Sequence, residues 1–141
     1  MIAIGCDHGG YELKEKIKKH LEEIGEQYDD LGCYSLESVD YPIYGKAVAN
    51  AVAEGRADKG IVICTTGIGI SITANKVKGI RCALCADTLS AKLTREHNDA
   101  NVLAMGAGIV GPNLAVSIVD TFLSTPFSGV EKHARRVSMI E

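Results

Sequence analysis

Apolar and polar positions along the chain form two alternating patterns, one typical of strands and the other typical of helices. Short apolar runs, rich in β-branched residues, predict buried strands of a parallel sheet. Between them, apolar residues recur every three or four positions, which predicts helices that bury one face. The predicted strands are Ile2–Cys6, Gln27–Leu31, Ile61–Ile63, Ile80–Cys85 and Asn101–Met105. The predicted helices are Tyr11–Ile24, a helix opened by Asp40, Ser71–Lys76, Thr88–His97, Pro112–Leu123 and Val130–Ile140. Strands that alternate with helices indicate the α/β class, in which ligands bind at the carboxyl ends of the strands.

The first two predicted helices have the clearest buried faces. In the first, the apolar residues at helical spacing are Leu13, Ile17, Leu21 and Ile24, and Gly25 ends the helix. The second begins at Asp40, a good N-cap residue, and has Pro42 in its first turn. The residues that it is predicted to bury are Ile43, Ala47, Val48, Ala51 and Val52.

Composition narrows the class of protein without identifying it. The 141 residues fit one domain, residues 1–141, and the 46% hydrophobic and 23% charged residues are ordinary for a globular protein. A net charge of -3 provides no basic surface for nucleic acid, and no apolar run approaches the roughly 20 residues that a membrane span needs. A strand that begins at residue 2 predicts no signal peptide. Five cysteines at irregular spacing predict reduced thiols and a cytoplasmic protein.

The stretch from Cys64 to Ser71 has the layout of an active site. It places a thiol at the carboxyl end of the most apolar strand, directly before a Thr-Thr-Gly-Ile-Gly turn and a helix. Gly67 and Gly69 allow backbone N–H groups to converge on a small anion, and the helix adds the positive end of its dipole. Taken alone, the stretch is equally compatible with a structural cysteine in a tight turn.

Other polar residues fall at the ends of predicted elements. Asp7 and His8 follow the first strand in a glycine-flanked turn, where the carboxylate can orient the imidazole. His97 and Asn98 lie at a helix terminus before the last strand, and by themselves they indicate no function. The basic segment 132–136 is either a solvated helix face or a clamp for phosphate.

Three further patterns are weaker than they look. The segment 106–111 matches the dinucleotide-binding fingerprint, but no strand ending in an acidic residue follows it. Cys82 and Cys85 have the spacing of a redox pair, but within a strand their side chains point to opposite faces, so we expect unreactive core thiols. The Cys64 loop lacks the arginine that phosphatase chemistry requires, and no cluster of residues has convincing metal-ligand spacing.

Six motifs, spread over nearly the whole chain, together resemble type B ribose-5-phosphate isomerases. They are Asp7-His8-Gly-Gly, Ser38-Val-Asp-Tyr41-Pro42, Cys64-x-Thr66-Gly-Ile-Gly, Ala74-Asn-Lys76, Arg95-Glu-His97-Asn98-Asp-Ala-Asn101 and His133-x-x-Arg136-Val. The resemblance implies a Rossmann-like three-layer α/β/α sandwich with a five-stranded parallel sheet. It implies interconversion of ribose 5-phosphate and ribulose 5-phosphate without a metal or other cofactor. It also implies a homodimer, or a dimer of dimers, with active sites shared between subunits and a C-terminal helix that reaches the partner.

The resemblance further implies a role for each matching residue. Cys64 is expected to be the base that moves a proton between C1 and C2 of the sugar through a cis-enediolate. The backbone around the following turn is expected to hold the enediolate oxygens, through Gly67, Ile68, Gly69 and Ser71. Asp7, Thr66 and His97 are expected to assist ring opening and proton transfer. The other expected substrate-binding residues are Tyr41 and Asn98, together with His8, Lys132 and Arg136 at the phosphate.

The sequence departs from the family pattern at three positions. Thr65, Gly108 and Lys132 stand where Gly, Arg and Arg are usual. Lys132 keeps a point charge for phosphate, whereas Gly108 is expected to leave room for a longer sugar. The alternatives are therefore a related isomerase of an allose- or galactose-type hexose 6-phosphate, or a phosphate- or nucleotide-binding module without catalysis.

Overall fold

The computed structural model describes all 141 residues, and its elements follow the predicted order. The strands are β1 (Ile2–Cys6), β2 (Tyr28–Asp30), β3 (Lys59–Cys64), β4 (Cys82–Leu84) and β5 (Val102–Gly106). The helices are α1 (Tyr11–Glu23), α2 (Tyr41–Ala53), α3 (Ile68–Asn75), α4 (Thr88–Asn98), α5 (Pro112–Ser124) and α6 (Glu131–Ile140). A single turn of 3₁₀ helix, His8–Gly10, joins β1 to α1.

The five strands form one parallel sheet in the order β2-β1-β3-β5-β4. All strands therefore end along one border of the sheet, its carboxyl edge, where the register aligns Cys64 on β3 with Gly106 on β5. Alternate side chains of β3 enter two different cores: Ile61 and Ile63 face α1, α4 and α5, whereas Cys64 faces α2 and α3. The predicted Rossmann-like three-layer α/β/α sandwich is confirmed.

Two residues that were predicted to be buried are exposed. The exposed fraction of Ile24 is 47% and that of Ile43 is 61%. Ile24 lies just beyond the end of α1. In α2, small residues such as Gly45 and Ala49 are buried together with Val48, so the face that packs includes positions with little hydrophobicity of their own. Because glycine and alanine contribute little to an apolar pattern, that pattern misplaces part of the buried face of α2.

Several element boundaries also differ from the prediction, most clearly those of α3, β2 and β4. α3 begins at Ile68, three residues earlier than predicted, because a glycine inside its first turn resembles a loop signal in the sequence. β2 and β4 are each three residues long, shorter than predicted. Both are edge strands with a neighbour on one side only, and short edges are common in natural sheets.

A buried ion pair anchors α1 to the sheet edge. Lys14 shares the inner face of the helix with Ile17, and its side chain is fully buried. Its Nζ donates to Asp30 Oδ1 and to the Cys33 backbone carbonyl, both at 2.6 Å. Asp30 also pairs with Lys18 at 2.8 Å. The ammonium is therefore satisfied on two sides, as a buried charge must be.

The C-terminal helix lies outside the three layers. α6 packs on α4 and has no buried residue, so it leaves most of its surface uncovered within this chain.

None of the helices has the length and the apolar character that a membrane span requires.

Candidate active site

The carboxyl ends of β1 and β3 frame an open pocket of about 390 Å³. The connections that leave β1 and β3 run to opposite faces of the sheet, to α1 and α3, and such a switch point is where α/β proteins bind ligands. The lining residues are Asp7, Tyr41, Cys64, Thr65, Thr66, Ile68 and Gly69. Apart from Thr65, all of them are predicted site residues, so the fold brings these together.

Gly67 gives the turn after Cys64 its shape. It has a φ of 77°, in the left-handed region that favours glycine, and it is the N-cap residue of α3. Its backbone N–H donates to Cys64 Sγ at 3.1 Å. Cys64 is 5% exposed, so the sulfur meets the pocket while the rest of the side chain is buried. The turn therefore fixes the sulfur beside the first amides of a helix.

The first amides of α3 are partly engaged within the turn. The Ile68 N–H donates to Thr66 Oγ1 at 3.2 Å. The Ser71 N–H donates to the Gly67 carbonyl at 3.2 Å, and the Ser71 hydroxyl donates to the Ile68 carbonyl at 2.8 Å. This differs from the expectation for Ser71, whose N–H is engaged in the helix. Gly69 remains as an amide of the first turn, where no acceptor one turn earlier exists within the helix.

Asp7 and His8 leave the end of β1 in the 3₁₀ turn. Asp7 is 7% exposed, and its Oδ1 accepts a hydrogen bond from the Gly10 N–H at 3.2 Å. His8 Nδ1 accepts from the Val39 N–H at 3.1 Å. When the ring is neutral, its proton is therefore on Nε2, which remains available as a donor. The loop before α2 thus fixes the orientation of the imidazole.

Tyr41, the first residue of α2, forms the opposite wall of the pocket. A Cβ atom at Gly69 would lie 2.7 Å from carbons of the tyrosine ring. The ring therefore rests directly on the first turn of α3, and glycine is required at position 69 for this close approach.

The remaining predicted site residues lie elsewhere in the same chain. They are His97, Asn98, Lys132 and Arg136, and all four are exposed. α4 begins at the carboxyl edge of the sheet, where Cys64 lies, and runs antiparallel to the strands. His97, near its end, therefore lies close to the start of β5, at the opposite edge where the strands begin. Asn98 lines a separate pocket of about 610 Å³, around Arg81 and Ile140. One chain therefore carries two groups of predicted residues at opposite edges of its sheet.

His133 belongs to the second group, although the sequence assigned it no role beyond its place in a motif. Its ring centroid lies 4.5 Å from that of His97, and its Nδ1 lies 2.6 Å from Ser128 Oγ. Burial lowers the pKa of His133 below its usual value, and the nearby charges of His97, Lys132 and Arg136 lower it further. These side chains form one basic cluster, which suits an anionic ligand.

Cys82 in β4 and Cys85 directly after it lie on opposite faces of the sheet, as the alternation along a strand predicts. Cys85 is buried in the core beneath α1, α4 and α5, whereas Cys82 packs against the core on the other face. Burial, with a smaller contribution from Cys85, raises the pKa of Cys82 to about 12. Burial, with a smaller contribution from Asp87, raises the pKa of Cys85 to about 11. Both thiols therefore stay protonated at neutral pH, and Cys64 is the thiol that lines the switch-point pocket.

The glycine-rich segment after β5 lacks the context of a dinucleotide site. β5 is the last strand, and only α5 and α6 follow it, so no second strand can supply an acidic residue to a ribose. No three His, Cys, Asp or Glu side chains converge in the arrangement of metal ligands.

Comparison with known proteins gives consistent matches over nearly the whole chain. The sequence model of the family described as Ribose/Galactose Isomerase matches residues 2–140. Ribose-5-phosphate isomerase B of Escherichia coli is 51% identical over 139 residues, covering 99% of this chain and 93% of that protein. A galactose-6-phosphate isomerase subunit of Clostridium acetobutylicum is 42% identical over 141 residues, covering 100% of this chain and 82% of that protein. The structure of Clostridium thermocellum ribose-5-phosphate isomerase B superposes with a TM-score of 0.97 at 54% identity, covering 99% and 93% of the two chains.

Proposed function

The chain belongs to the ribose/galactose isomerase family and is a sugar phosphate isomerase, and we propose that it interconverts ribose 5-phosphate and ribulose 5-phosphate. The observation that carries the proposal is the Cys64 sulfur, held by the Gly67 N–H in a pocket that also contains Asp7. An aldose–ketose isomerisation moves one proton between neighbouring carbons, so it needs a base and donors for the developing oxyanion. The pocket offers a candidate for each.

In the proposed reaction Cys64 acts as a thiolate. It removes the proton from C2 of the open-chain aldose, and the C1 carbonyl oxygen takes up the negative charge as a cis-enediolate forms. The thiol then returns the proton to C1, while the proton of the C2 hydroxyl passes to the C1 oxygen, so that C2 becomes the ketone and C1 the alcohol. The Gly69 amide, at the positive end of the α3 dipole, is suited to stabilise the enediolate oxygens. Asp7 and Thr66 line the same pocket and are proposed to assist ring opening.

The phosphate is proposed to lie between His8 and a basic helix. The Nε2–H of His8 is free to donate, because Nδ1 is used by Val39. Lys132 and Arg136 on α6 supply positive charge, and Arg136 can also bind phosphate in a bidentate manner.

We propose that a second copy of the chain brings the two groups of residues together. His97 and Asn98 lie at the sheet edge opposite to Cys64, so one chain cannot provide both groups to one sugar. Exposed apolar side chains lie on α3, β4, α4 and the loop after β5, as expected of a subunit interface. They are Ile68, Ile72, Leu84, Leu89, Leu93 and Ile109. A symmetric dimer would then hold two composite sites, each with Cys64 from one protomer and His97 from the other.

The test is the exchange of carbon-bound hydrogen in heavy water. Wild-type protein is expected to convert ribose 5-phosphate to ribulose 5-phosphate and to introduce solvent deuterium at C1 or C2. Cys64→Ser should lower kcat by a factor of about 10²–10⁴, because a hydroxyl is a far weaker base than a thiolate. Cys82→Ser is the matched control, since it makes the same change at a thiol outside the pocket and should retain most of the activity.

Three outcomes would count against the proposal. Binding of the sugar phosphate without deuterium uptake would indicate a binding module. Near-normal turnover by Cys64→Ser would reject the cysteine as the base. Isomerisation of galactose 6-phosphate in preference to ribose 5-phosphate would assign the chain to the function that its Clostridium acetobutylicum relative is named for.

A further inference from the structure

Thr65 lies at the boundary between two pockets. It is the one residue that lines both the catalytic pocket and a second pocket of about 250 Å³ on the other side of the β3 end. The second pocket is otherwise lined by Gly9, Glu12, Leu13, Lys16, Ala107, Gly108, Val110 and Pro112. The Thr65 side chain is therefore the partition between them.

The two branches of Thr65 reach the loops on either side of it. A Cβ atom at Gly9, in the turn after β1, would lie 2.2 Å from Thr65 Oγ1. A Cβ atom at Gly108, in the loop after β5, would lie 3.2 Å from Thr65 Cγ2 and 3.1 Å from the Thr65 carbonyl oxygen. The Gly108 N–H also donates to that carbonyl at 2.8 Å. Thr65 thus spans the gap between two loops that both have glycine at the point of contact.

We infer that Thr65 is the residue that limits the length of the sugar phosphate, an inference that rests on the proposed isomerase function. The reacting carbons lie at Cys64, and the proposed phosphate contact, His8, leaves the same 3₁₀ turn as Gly9. Because Thr65 follows Cys64 and lies against the turn that carries His8, the inferred path of the carbon chain between these two points passes the Thr65 side chain. A wall at this position restricts how far a longer chain can extend toward the second pocket.

The second pocket is suited to the additional unit of a longer sugar. Glu12 and Lys16 on α1 offer an acceptor for hydroxyl groups and a positive charge for phosphate. The extra CHOH unit of a hexose phosphate is comparable in size to a water molecule, which occupies about 30 Å³. Removal of the two branch atoms of Thr65 is therefore enough to change which sugar fits.

Gly108 lies against Thr65 and also lines the second pocket. A Cβ atom at position 108 would lie 3.1 Å from the Thr65 carbonyl oxygen and 3.2 Å from Thr65 Cγ2, so a side chain there crowds Thr65. We therefore expect the effects of substitutions at positions 65 and 108 to be coupled.

The experiment compares kcat/KM for ribose 5-phosphate and allose 6-phosphate in wild type, Thr65→Ala, Thr65→Ser and Thr65→Val. Thr65→Ala removes both branches and should raise the allose-to-ribose ratio about tenfold or more, the discrimination typical of one carbon unit. Thr65→Ser removes only Cγ2 and should give an intermediate ratio. Thr65→Val keeps both branches without the hydroxyl, so the ratio should stay at the wild-type value.

An unchanged ratio in Thr65→Ala and Thr65→Ser, with ribose 5-phosphate still isomerised, would overturn the inference and leave the proposed function intact. A shift in Thr65→Val would also overturn it, because hydrogen bonding rather than size would then control the substrate. A wild-type protein that isomerises neither sugar would reject the proposed function, and the inference with it.

A stability measurement tests the shared volume without reference to activity. Gly108→Ala should lower the melting temperature of the wild type, because the new Cβ crowds Thr65 Cγ2. In the Thr65→Ala background the same change should lower it less, since that methyl group is absent. Equal losses in both backgrounds would show that the two positions do not share space.

Discussion

At the scale of single residues, the candidate site depends on the environment of one thiol among five. Cys6 lies at the end of β1, and burial raises its pKa to about 12 despite the nearby charge of Lys14. The pKa of Cys82 and Cys85 is raised by burial in the same way. Cys64 lines the candidate pocket and accepts a backbone hydrogen bond from Gly67. Position in the fold, rather than residue type, separates the proposed base from the other thiols.

Gly67→Ala is expected to damage the site more than its backbone strain alone would. Its Cβ would lie 2.7 Å from the Met105 carbonyl carbon and 2.9 Å from the Gly106 amide nitrogen. The turn must then move away from β5, which breaks the hydrogen bond to Cys64 Sγ. We expect a loss of isomerase activity and a decrease in the free energy of unfolding, measured by denaturant titration.

Gly25→Ala is the matched control, because Gly25 has the same φ of 77° and no atom within 4 Å of the added Cβ. It should cost about 1–2 kcal/mol, the strain of a left-handed alanine. Gly67→Ala should cost about 1–3 kcal/mol more, through overpacking. Equal losses of stability, with activity kept in both variants, would show that the turn after Cys64 tolerates a side chain.

At the scale of elements, the Lys14–Asp30 pair connects α1 to β2. The pair lies at an edge strand of only three residues, where few other contacts fix the strand. Burial raises the pKa of Asp30, but hydrogen bonds from Lys14 and Lys18 outweigh it and hold the pKa below its usual value. The sequence contained a signal for this contact, because Lys14 shares the apolar face of the helix with Ile17.

Asp30→Asn is expected to destabilise the protein strongly, because it leaves the Lys14 ammonium buried without a negative partner. The loss should be about 3 kcal/mol, at the lower end of the range for breaking a buried pair, since the Asp30 side chain is 13% exposed. Asp58→Asn is the control. Asp58 is 80% exposed and pairs with the N-terminus, so solvent screens the pair and its loss should be much smaller than that of Asp30.

The pH dependence gives a second measurement on the same variant. A carboxylate with a lowered folded pKa contributes stability above its unfolded pKa of about 3.9 and loses that contribution as the pH falls through the folded value. The difference in unfolding free energy between wild type and Asp30→Asn should therefore be full at pH 7 and shrink below about pH 4. A difference independent of pH down to acid unfolding would exclude the charge as its cause.

At the scale of the whole molecule, the chain has two incomplete groups of candidate residues. Cys64 and Asp7 lie at the carboxyl edge of the sheet, whereas His97 and the basic cluster on α6 lie at the other edge. Neither group by itself has both a base and a full phosphate clamp. The proposed dimer resolves this, since each protomer contributes the group that the other lacks.

Mixing two inactive variants tests the composite site. Cys64→Ser and His97→Asn protomers, combined after reversible dissociation, should recover about one quarter of wild-type activity, because half of the random dimers are mixed and each has one intact site. Isomerase activity is measured as a function of the mixing ratio, with subunit exchange followed by mass spectrometry of the intact dimer.

A Cys64→Ser/His97→Asn double variant mixed with wild type provides the control. In each mixed dimer, one site combines the mutated position 64 with a native His97, and the other combines a native Cys64 with the mutated position 97. Both sites are therefore incomplete, and the mixed dimers should be inactive. Absence of recovery in the first mixture, with exchange demonstrated, would indicate that each site is built from one chain.

The sequence by itself determined the fold class, the order of the elements and the position of Cys64 before a glycine-rich turn. These features depend on local patterns: apolar runs report buried strands, and helical spacing reports a packed face. The same local reasoning placed Cys82 and Cys85 on opposite faces of the sheet, as the structure has them. Each of these inferences needs only neighbours along the chain.

Only the tertiary structure decided the contacts that join distant segments. The register of β1, β3 and β5 places Gly9, Thr65 and Gly108 side by side, and no local pattern reports which loops meet. The buried face of α2 likewise depends on close approach through Gly45, which carries no hydrophobic signal. The separation of His97 from Cys64 follows from the direction in which α4 runs back along the sheet. Sheet register and helix direction are properties of the assembled layers, because they are set by packing between elements rather than by residues within one.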